Sequence, residues 1–342
     1  MSVAKSALAA GATGVIDDFP VALTWLPDGS ALIVGGGEGG IHCVQARDGA
    51  VRKLGEHAPG VLHLACQPNG GLLASSGQDG SVCLWDASEA APAPRTLHRA
   101  KGWPAGTAWR ADGGAIAFGV GKDVLVFDGA GNLQREFKGH SVPLSHLSWR
   151  GRNQMIAVGN GALFVDHVDT GEIEQFVLEG TPLTLALSPD LKVAATGLAD
   201  GTINFRYINN RKRSRMSGYE GKVDQTAWSA SSRYLATASS GASSIVLWDF
   251  GGKGPEGSDP LQLSAHEERI EALAWQGNGP LLASAGRDWR VVLWRPAPNS
   301  RAALDIQLLD GPAGSACWSP DGTCLAVAQA SGKIRFFSLK AV

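Results

Sequence analysis

A unit of about 40 residues recurs along this chain and limits the folds that the chain can adopt. Each copy contains a short apolar strand that ends in tryptophan or a substitute, then a polar turn, then a second apolar strand. This period is typical of four-stranded units arranged around an axis. Successive anchors are 39 to 47 residues apart, at Trp25, Cys66, Trp109, Trp149, Ser188, Trp228, Trp275 and Trp318. The pattern therefore predicts eight copies of one β unit.

The turns between the strands have hairpin chemistry. Pro fixes φ at an early turn position, while Asp, Asn and Gly accept the later ones, as in Pro27-Asp28-Gly29 and Pro68-Asn69-Gly70. A more polar fourth strand, such as Leu133–Phe137, ends each unit. Charged side chains on such a strand protect an exposed sheet edge. We therefore expect the fourth strand at the outer rim.

The strand count assigns a role to the N-terminus. The last unit reaches its third strand at residues 334–338, and only residues 339–342 follow. Residues from about 3 to 10 precede the first unit and have no other assignment. They are poor in the large apolar residues of a signal peptide. We expect them to supply the missing fourth strand, so that residues 1–342 form one closed ring without an open edge.

Tryptophan-aspartate pairs end two of the third strands, at Trp85-Asp86 and Trp248-Asp249, with near-forms at Phe127-Asp128 and Trp294-Arg295. With Gly139-His140 at the head of another unit, these residues make the chain resemble the WD40-repeat β-propeller family over essentially its whole length. The resemblance implies an all-β, single closed propeller of four-stranded blades. Our count is eight, whereas seven is usual in the family, so both numbers stay open here.

The resemblance also implies a structural His–Ser–Asp–Trp tetrad, which two units contain in full. The members are His57, Ser75, Asp79 and Trp85, and then His266, Ser284, Asp288 and Trp294. Within a blade, the indole N–H needs an acceptor that a serine hydroxyl can supply. Other units are incomplete: Arg206 replaces the tryptophan of the fifth, Glu38 occupies the turn of the first, and His140 of the fourth lacks the aspartate.

Catalysis is disfavoured by the same logic. A serine hydroxyl tied to an indole is not free to act as a nucleophile, so we expect no catalytic residues. Gly35, Gly37 and Gly40 satisfy the spacing GxGxxG, but a strand follows them instead of a helix. An eight-bladed enzyme of the quinoprotein type remains the alternative. It needs calcium ligands and a different tryptophan repeat, which we do not find, so we expect no cofactor and no metal.

Charge and cysteine usage narrow the class of partner and compartment. The formal net charge of −2 argues against broad binding of nucleic acid, and we expect no membrane association. The five cysteines lie in predicted strands without CxxC spacing, as expected for buried thiols in a reducing cytoplasm. The one dense basic run is Arg211, Lys212, Arg213 and Arg215, which leaves nucleic-acid binding as a second alternative.

The remaining signal is a set of aromatic and arginine residues near the tetrad turns. Residues of these types dominate the energetics of protein interfaces. The candidates for a partner-binding face are Trp103, Tyr219, Arg269, Arg287 and Trp289. We therefore predict a non-enzymatic scaffold or adaptor for protein–protein interaction, a monomeric propeller within a larger assembly in the cytoplasm.

Overall fold

The fold is a ring of eight blades. The computed structural model of the protein describes residues 6–89, 92–252, 254–297 and 300–340. These residues form eight antiparallel sheets of four strands, and the innermost strands of neighbouring sheets contact one another around the whole ring. The all-β propeller predicted from the sequence is confirmed, with eight blades and not seven.

Blades are numbered along the chain, and each runs outward from its first strand. The N-terminal strand is β1 (Leu8–Val15), and the others are, for blade 1, β2 (Pro20–Trp25), β3 (Ala31–Gly36), β4 (Gly40–Gln45), β5 (Val51–Glu56); blade 2, β6 (Val61–Cys66), β7 (Leu72–Gly77), β8 (Ser81–Asp86), β9 (Arg95–Arg99); blade 3, β10 (Pro104–Trp109), β11 (Ala115–Val120), β12 (Asp123–Asp128), β13 (Leu133–Phe137); blade 4, β14 (Leu144–Arg150), β15 (Gln154–Gly159), β16 (Ala162–His167), β17 (Ile173–Val177); blade 5, β18 (Ala186–Leu187), β19 (Val193–Gly197), β20 (Ile203–Tyr207), β21 (Arg213–Met216); blade 6, β22 (Val223–Trp228), β23 (Tyr234–Ser239), β24 (Ser244–Asp249), β25 (Leu261–Ser264); blade 7, β26 (Ile270–Trp275), β27 (Leu282–Gly286), β28 (Arg290–Trp294), β29 (Ala303–Leu308); blade 8, β30 (Ala313–Trp318), β31 (Cys324–Gln329), β32 (Lys333–Leu339). Within the described ranges, no helix is long and apolar enough to cross a membrane.

The core is divided among the blade interfaces. Eight clusters of buried apolar side chains lie one between each pair of neighbouring blades. The cluster between blades 2 and 3, for example, contains Trp109, Phe118 and Phe127. Second strands are covered on both faces, which explains why they are continuous apolar runs without the alternation of a half-exposed strand.

The anchor tryptophans connect neighbouring blades by hydrogen bonds. The Trp109 indole N–H donates to the carbonyl oxygen of Ala65 on the innermost strand of the preceding blade, at 3.0 Å. The equivalent bond is made by four other anchors: Trp149, Trp228, Trp318 and Trp25. The bond from Trp25 to the carbonyl oxygen of Cys317 joins blade 1 to blade 8 and so closes the ring. Within the described residues, the buried Nε1 of Trp275 lacks a partner, and its ring stacks on Tyr234 instead.

The N-terminal strand completes blade 8, as predicted, but at a shifted position. Strand β1 pairs antiparallel with β32, from Leu8 opposite Leu339 to Val15 opposite Lys333. The predicted range of about 3–10 was therefore wrong in its bounds, and residues 1–5 lie outside the described residues. The strand continues through Gly11 to Val15 because it must extend to the edge at which the chain enters blade 1. Asp305 of blade 7 accepts the backbone N–H of Leu8 at 2.7 Å and holds its start.

The antiparallel order of strands gives the ring two faces. We call "tetrad face" the one formed by the turns between second and third strands together with the loops that enter each next blade. The two elements are linked, since the N–H of Ala100 in an entry loop donates to the carbonyl of Gly80 in the preceding turn. The sequence-predicted binding residues all belong to the segments that build this face.

Candidate interaction face

Blade 2 contains a continuous hydrogen-bonded tetrad beneath the tetrad face. The Trp85 indole N–H donates to Ser75 Oγ at 2.7 Å, and Ser75 Oγ lies 2.7 Å from His57 Nε2. The other ring nitrogen, Nδ1, lies 3.1 Å from Asp79 in the turn. This chain of bonds runs from the third strand of the blade to its turn and holds the entry loop that carries His57.

Blade 7 repeats the tetrad almost atom for atom. Trp294 donates to Ser284 Oγ at 2.9 Å, Ser284 lies 2.8 Å from His266 Nε2, and His266 Nδ1 lies 3.0 Å from Asp288. Burial lowers the pKa of His266, as it does that of His57, so both rings are neutral near pH 7. Each serine hydroxyl is held between an indole and an imidazole, an arrangement that stabilises a turn.

Tyr219 has a different role from the one that the sequence indicated. Its hydroxyl accepts the indole N–H of Trp248 at 2.7 Å and lies 2.7 Å from Thr237 Oγ1, which donates to the carbonyl of Val246. Burial raises the pKa of Tyr219 to about 12. Tyr219 thus stands in blade 6 where histidine stands in blades 2 and 7. Its polar atom is therefore used inside the blade, a role that its place after Gly218 could have indicated, and its membership of the partner-binding face stays a prediction.

Blade 4 contains a buried histidine–aspartate pair that the sequence analysis missed. His140 Nε2 lies 3.0 Å from Asp166, which occupies the strand position that tryptophan has in blade 2, and His140 Nδ1 donates to the carbonyl of Lys122. Burial by itself would lower the pKa of His140, but the hydrogen bond and charge of Asp166 outweigh it and raise that pKa. The signal was an aspartate at the end of an apolar strand, where a third strand of this type carries Trp.

Trp289 occupies a turn position at which six other blades use glycine. Seven of the eight turns contain a residue with positive φ, and in six it is glycine, at Gly39, Gly80, Gly121, Gly161, Gly201 and Gly332. In blade 7 it is Trp289, with φ of 62° and 52% of its surface exposed. A bulky residue in the left-handed region costs about 1–2 kcal/mol relative to glycine. The exposed indole is therefore held where the backbone disfavours it.

Trp289 borders a cleft between blades 7 and 8 that we call the Trp289 cleft. Its volume is about 500 Å³, and its lining includes Glu268, Glu271, Arg287, Trp289, Pro312 and Ala330. Arg287 is paired with Glu271, and Arg269 is paired with both Glu271, at 3.5 Å, and Asp224 of blade 6, at 2.7 Å. Two of the sequence-predicted residues, Arg269 and Arg287, are thus linked through Glu271, and Arg287 lines the cleft together with Trp289.

Trp103, the fifth predicted residue, lies elsewhere on the same face. It ends the loop between β9 and β10, where blade 2 leads into blade 3, and 63% of its surface is exposed. Its sequence neighbours are Lys101 and, at the end of β9, Arg99. The two exposed tryptophans of the tetrad face therefore belong to blades on different sides of the ring, and only Trp289 borders the cleft with Glu268 and Glu271.

The basic run on blade 5 is largely paired with acidic side chains. Arg211 lies 2.8 Å from Glu174, and Arg213 and Arg215 lie 3.1 and 3.0 Å from Glu179. Lys212 and Arg213 also border a cavity of about 650 Å³ on the opposite face, between blades 5 and 6. The run therefore presents fewer free charges than its sequence indicates. That pairing reduces the attraction it can exert on a phosphate backbone.

Metal-ligating side chains are dispersed. His63 of β6 and His146 of β14 occupy equivalent places on innermost strands, and each has a serine hydroxyl at Nδ1, at 3.2 and 3.0 Å. Burial, with a smaller contribution from His146, lowers the pKa of His63 to about 4. Among the residues that the structure describes, no group of three or more His, Cys, Asp or Glu side chains could hold a metal ion.

Comparison with known proteins agrees with the repeat and the ring. The family model described as "WD domain, G-beta repeat" matches residues 49–86 and 257–295. Each match spans a fourth strand and the following three strands, and together the two contain both complete tetrads. The family pattern is thus clearest in the two units whose tetrads are intact.

Relatives and a solved structure extend the likeness to most of the chain. Telomerase protein component 1 of Mus musculus is 25% identical over 72% of this chain. The guanine nucleotide-binding protein subunit beta of Oryza sativa subsp. japonica is also 25% identical, over 60% of this chain and 58% of the length of that subunit. The alignment spans only 10% of the telomerase component. The crystal structure of the computationally designed Ika8 protein matches the fold with a TM-score of 0.76 and 17% identity, over 95% of this chain and 97% of the design. Together with its eight blades and two complete tetrads, these similarities support a WD40-repeat β-propeller.

Proposed function

We propose that this propeller is a non-enzymatic platform for protein–protein interaction and that it docks a partner protein at the Trp289 cleft. The observation that carries the proposal is Trp289 itself. It is a large, half-exposed indole at a backbone position where six other blades have glycine. Folding is served by glycine at this position, so another function accounts for the indole.

The surroundings of Trp289 suit an interface. Tryptophan and arginine are enriched at the energetic centres of interfaces, and the cleft contains Trp289 beside Arg287. The tetrad beneath the turn fixes Asp288, the residue before Trp289, through two bonds of 3.0 Å to His266. A partner therefore meets an indole whose backbone is already ordered, which reduces the entropy lost on binding.

The family likeness supports the coarser part of this proposal. Propellers of this kind generally act as interaction scaffolds, and the relatives include a G protein subunit, a THO complex subunit from Arabidopsis thaliana and coronin-7 from Homo sapiens. We propose a cytoplasmic location because all five cysteines are unpaired, and a single propeller that acts within a larger assembly. We propose no cofactor for this role.

Affinity purification from the native host tests the docking face. The tagged protein is compared with Trp289→Gly, which introduces the residue found in six other turns, and with Trp103→Ala as a matched loss of an exposed tryptophan. We expect Trp289→Gly to lose at least one stoichiometric partner that the other two proteins retain. The far-UV spectrum and the urea midpoint of each variant establish that the ring is intact.

The possible outcomes show whether the docking face is the Trp289 cleft or another part of the ring. Equal partner recovery with all three proteins would show that the Trp289 cleft is not the docking face. Loss of the same partner with Trp103→Ala but not with Trp289→Gly would move the interface to blades 2 and 3.

A further inference from the structure

The charge distribution around the Trp289 cleft identifies the kind of partner segment that it fits, and this inference rests on the proposed function. Basic side chains occur on the tetrad face of blades 7, 8 and 1, either within a turn or entry loop or on the first residue of the strand that follows it. All of these are in ion pairs with neighbouring carboxylates: Arg269, Arg287, Arg290 and Lys333. None of these cations is left over to attract an acidic partner.

Carboxylates, in contrast, remain without a cation in the same part of the face. Glu268 lines the Trp289 cleft, is exposed, and makes no ion pair within the described ranges. The entry to blade 1 and its turn add Asp17, Asp18 and Glu38, which likewise make no ion pair within the described ranges. Asp17 and Glu38 are exposed, whereas Asp18 is half-buried and accepts backbone N–H groups. The uncompensated charge of this sector is therefore entirely negative.

The indole of Trp289 is also open to a cation. Arg287 and Arg290 flank it in sequence, but Arg287 is directed to Glu271 and Arg290 to Glu267. Five arginines of the described residues lie over aromatic rings, and the ring of Trp289 is not among those covered. The two nearest candidates for an internal cation–π contact are thus held away by carboxylates.

These features combine into one recognition chemistry. A lysine or arginine side chain gains from an aromatic face through its alkyl stem and its charge, and a carboxylate at the rim adds an ion pair. We infer that the Trp289 cleft binds a segment of a partner protein through a lysine or arginine side chain, which lies against the Trp289 indole and pairs with Glu268.

Peptides with one variable side chain test this inference on the intact protein. The protein is labelled with 5-fluorotryptophan, and the fluorine resonances of Trp289 and Trp103 are assigned with Trp→Phe variants. Blocked pentapeptides of alanine with a central lysine, arginine, norleucine or glutamate are then titrated. Norleucine keeps the alkyl stem of lysine without its charge, and Trp103, near Lys101 and Arg99, is the internal control.

We expect the lysine and arginine peptides to shift the Trp289 resonance with an affinity about five-fold above that of norleucine, and to leave Trp103 unchanged. Glu268→Gln reduces the affinity for the lysine peptide about three-fold, whereas Glu172→Gln, which removes an exposed charge on the opposite face, has no effect. Added salt weakens the binding of the lysine peptide more than the binding of the norleucine peptide.

Two results would overturn the inference. Norleucine or glutamate peptides that bind Trp289 as well as lysine does would show that the charge is irrelevant, although the docking face would stand. The absence of any shift at Trp289 would refute the cationic segment, and the partner recovery with Trp289→Gly would then decide separately whether the cleft is an interface at all.

Discussion

Blades 2 and 7 have the same tetrad and differ in the turn above it. In both, tryptophan, serine, histidine and aspartate form the same chain of bonds, between 2.7 and 3.1 Å long. In both, the residue after the aspartate has a positive φ, 75° at Gly80 and 62° at Trp289. Blade 2 fills this position with the residue that the conformation favours, and blade 7 fills it with one of the least suited.

The two turns also differ in the space that they leave for a side chain. A Cβ at Gly80 would lie 2.3 Å from the carbonyl oxygen of Ala100, so blade 2 has no room for a side chain. Blade 7 accommodates a Cβ and a whole indole at the equivalent place, although its tetrad is the same. The tetrad therefore sets the shape of the turn, and the entry loop above it decides whether a side chain can be displayed.

Removing the serine of either tetrad should have the largest effect. Ser75→Ala and Ser284→Ala each leave an indole N–H and an imidazole nitrogen buried without a partner. We expect a loss of about 2–4 kcal/mol in the free energy of unfolding, similar in the two blades, measured by urea denaturation. Ser331→Ala, at an exposed serine in the turn of blade 8, is the control and should change stability by less than about 0.5 kcal/mol. A loss in one blade much smaller than in the other would break the equivalence of the tetrads.

A methyl group at Gly80 should have the next largest effect. Gly80→Ala places a Cβ against the Ala100 carbonyl in a left-handed conformation, and we expect a loss of about 2 kcal/mol or more. Gly121→Ala is the matched control, because its φ is 60° but nothing lies within 4 Å of the new Cβ. It should lose only about 1 kcal/mol. Equal losses in the urea midpoints of the two variants would mean that the contact with the entry loop does not matter.

Replacing the indole by glycine should hardly change stability. Trp289→Gly removes backbone strain but increases the freedom of the unfolded chain and loses the contacts of a half-exposed side chain. These terms oppose one another, so we expect a net change within about 1 kcal/mol of zero. The change is measured by thermal unfolding of Trp289→Gly and is compared with the change that Gly80→Ala causes. A loss of 3 kcal/mol or more would assign Trp289 to the packing of the blade and remove the main reason for a docking role.

The fold could be predicted from the sequence because its signals are local and repeated. Trp109, Trp149 and their counterparts recur at one period, and the turns after them contain Pro, Asp and Gly. Even the closure by the N-terminus followed from a count of strands. The bounds of β1 did not, because Gly11 to Val15 are small residues without a strong strand pattern, and only pairing with β32 makes them a strand.

The candidate site was less predictable, since it depends on which side chains meet across blades. Tyr219 and Trp289 look alike in sequence, as exposed aromatics beside charged residues. Only the partners of the hydroxyl show that Tyr219 completes a blade. Likewise, the pairing of Arg269 with Asp224 joins residues 45 positions apart in sequence, which no local pattern indicates. The positive φ of Trp289 was within reach, because its turn aligns with Asp79-Gly80.

A difference in pH dependence is the smallest expected effect and sharpens the comparison of the two tetrads with the rest of the ring. The folded pKa of His266 lies below the unfolded value near 6.5, so its contribution to stability is present above pH 6.5 and is lost as the pH falls toward the folded pKa. His57 follows the same rule. For His140, whose pKa is raised by Asp166 against the effect of burial, the contribution is full below pH 6.5 and is lost as the pH rises through the folded pKa. The stability lost in His266→Gln should therefore increase from pH 5.5 to pH 8, and that lost in His140→Gln should decrease, in urea titrations at each pH. If both variants change in the same direction, the histidine–aspartate pair of blade 4 and the tetrads of blades 2 and 7 do not differ in the way that their hydrogen bonds indicate.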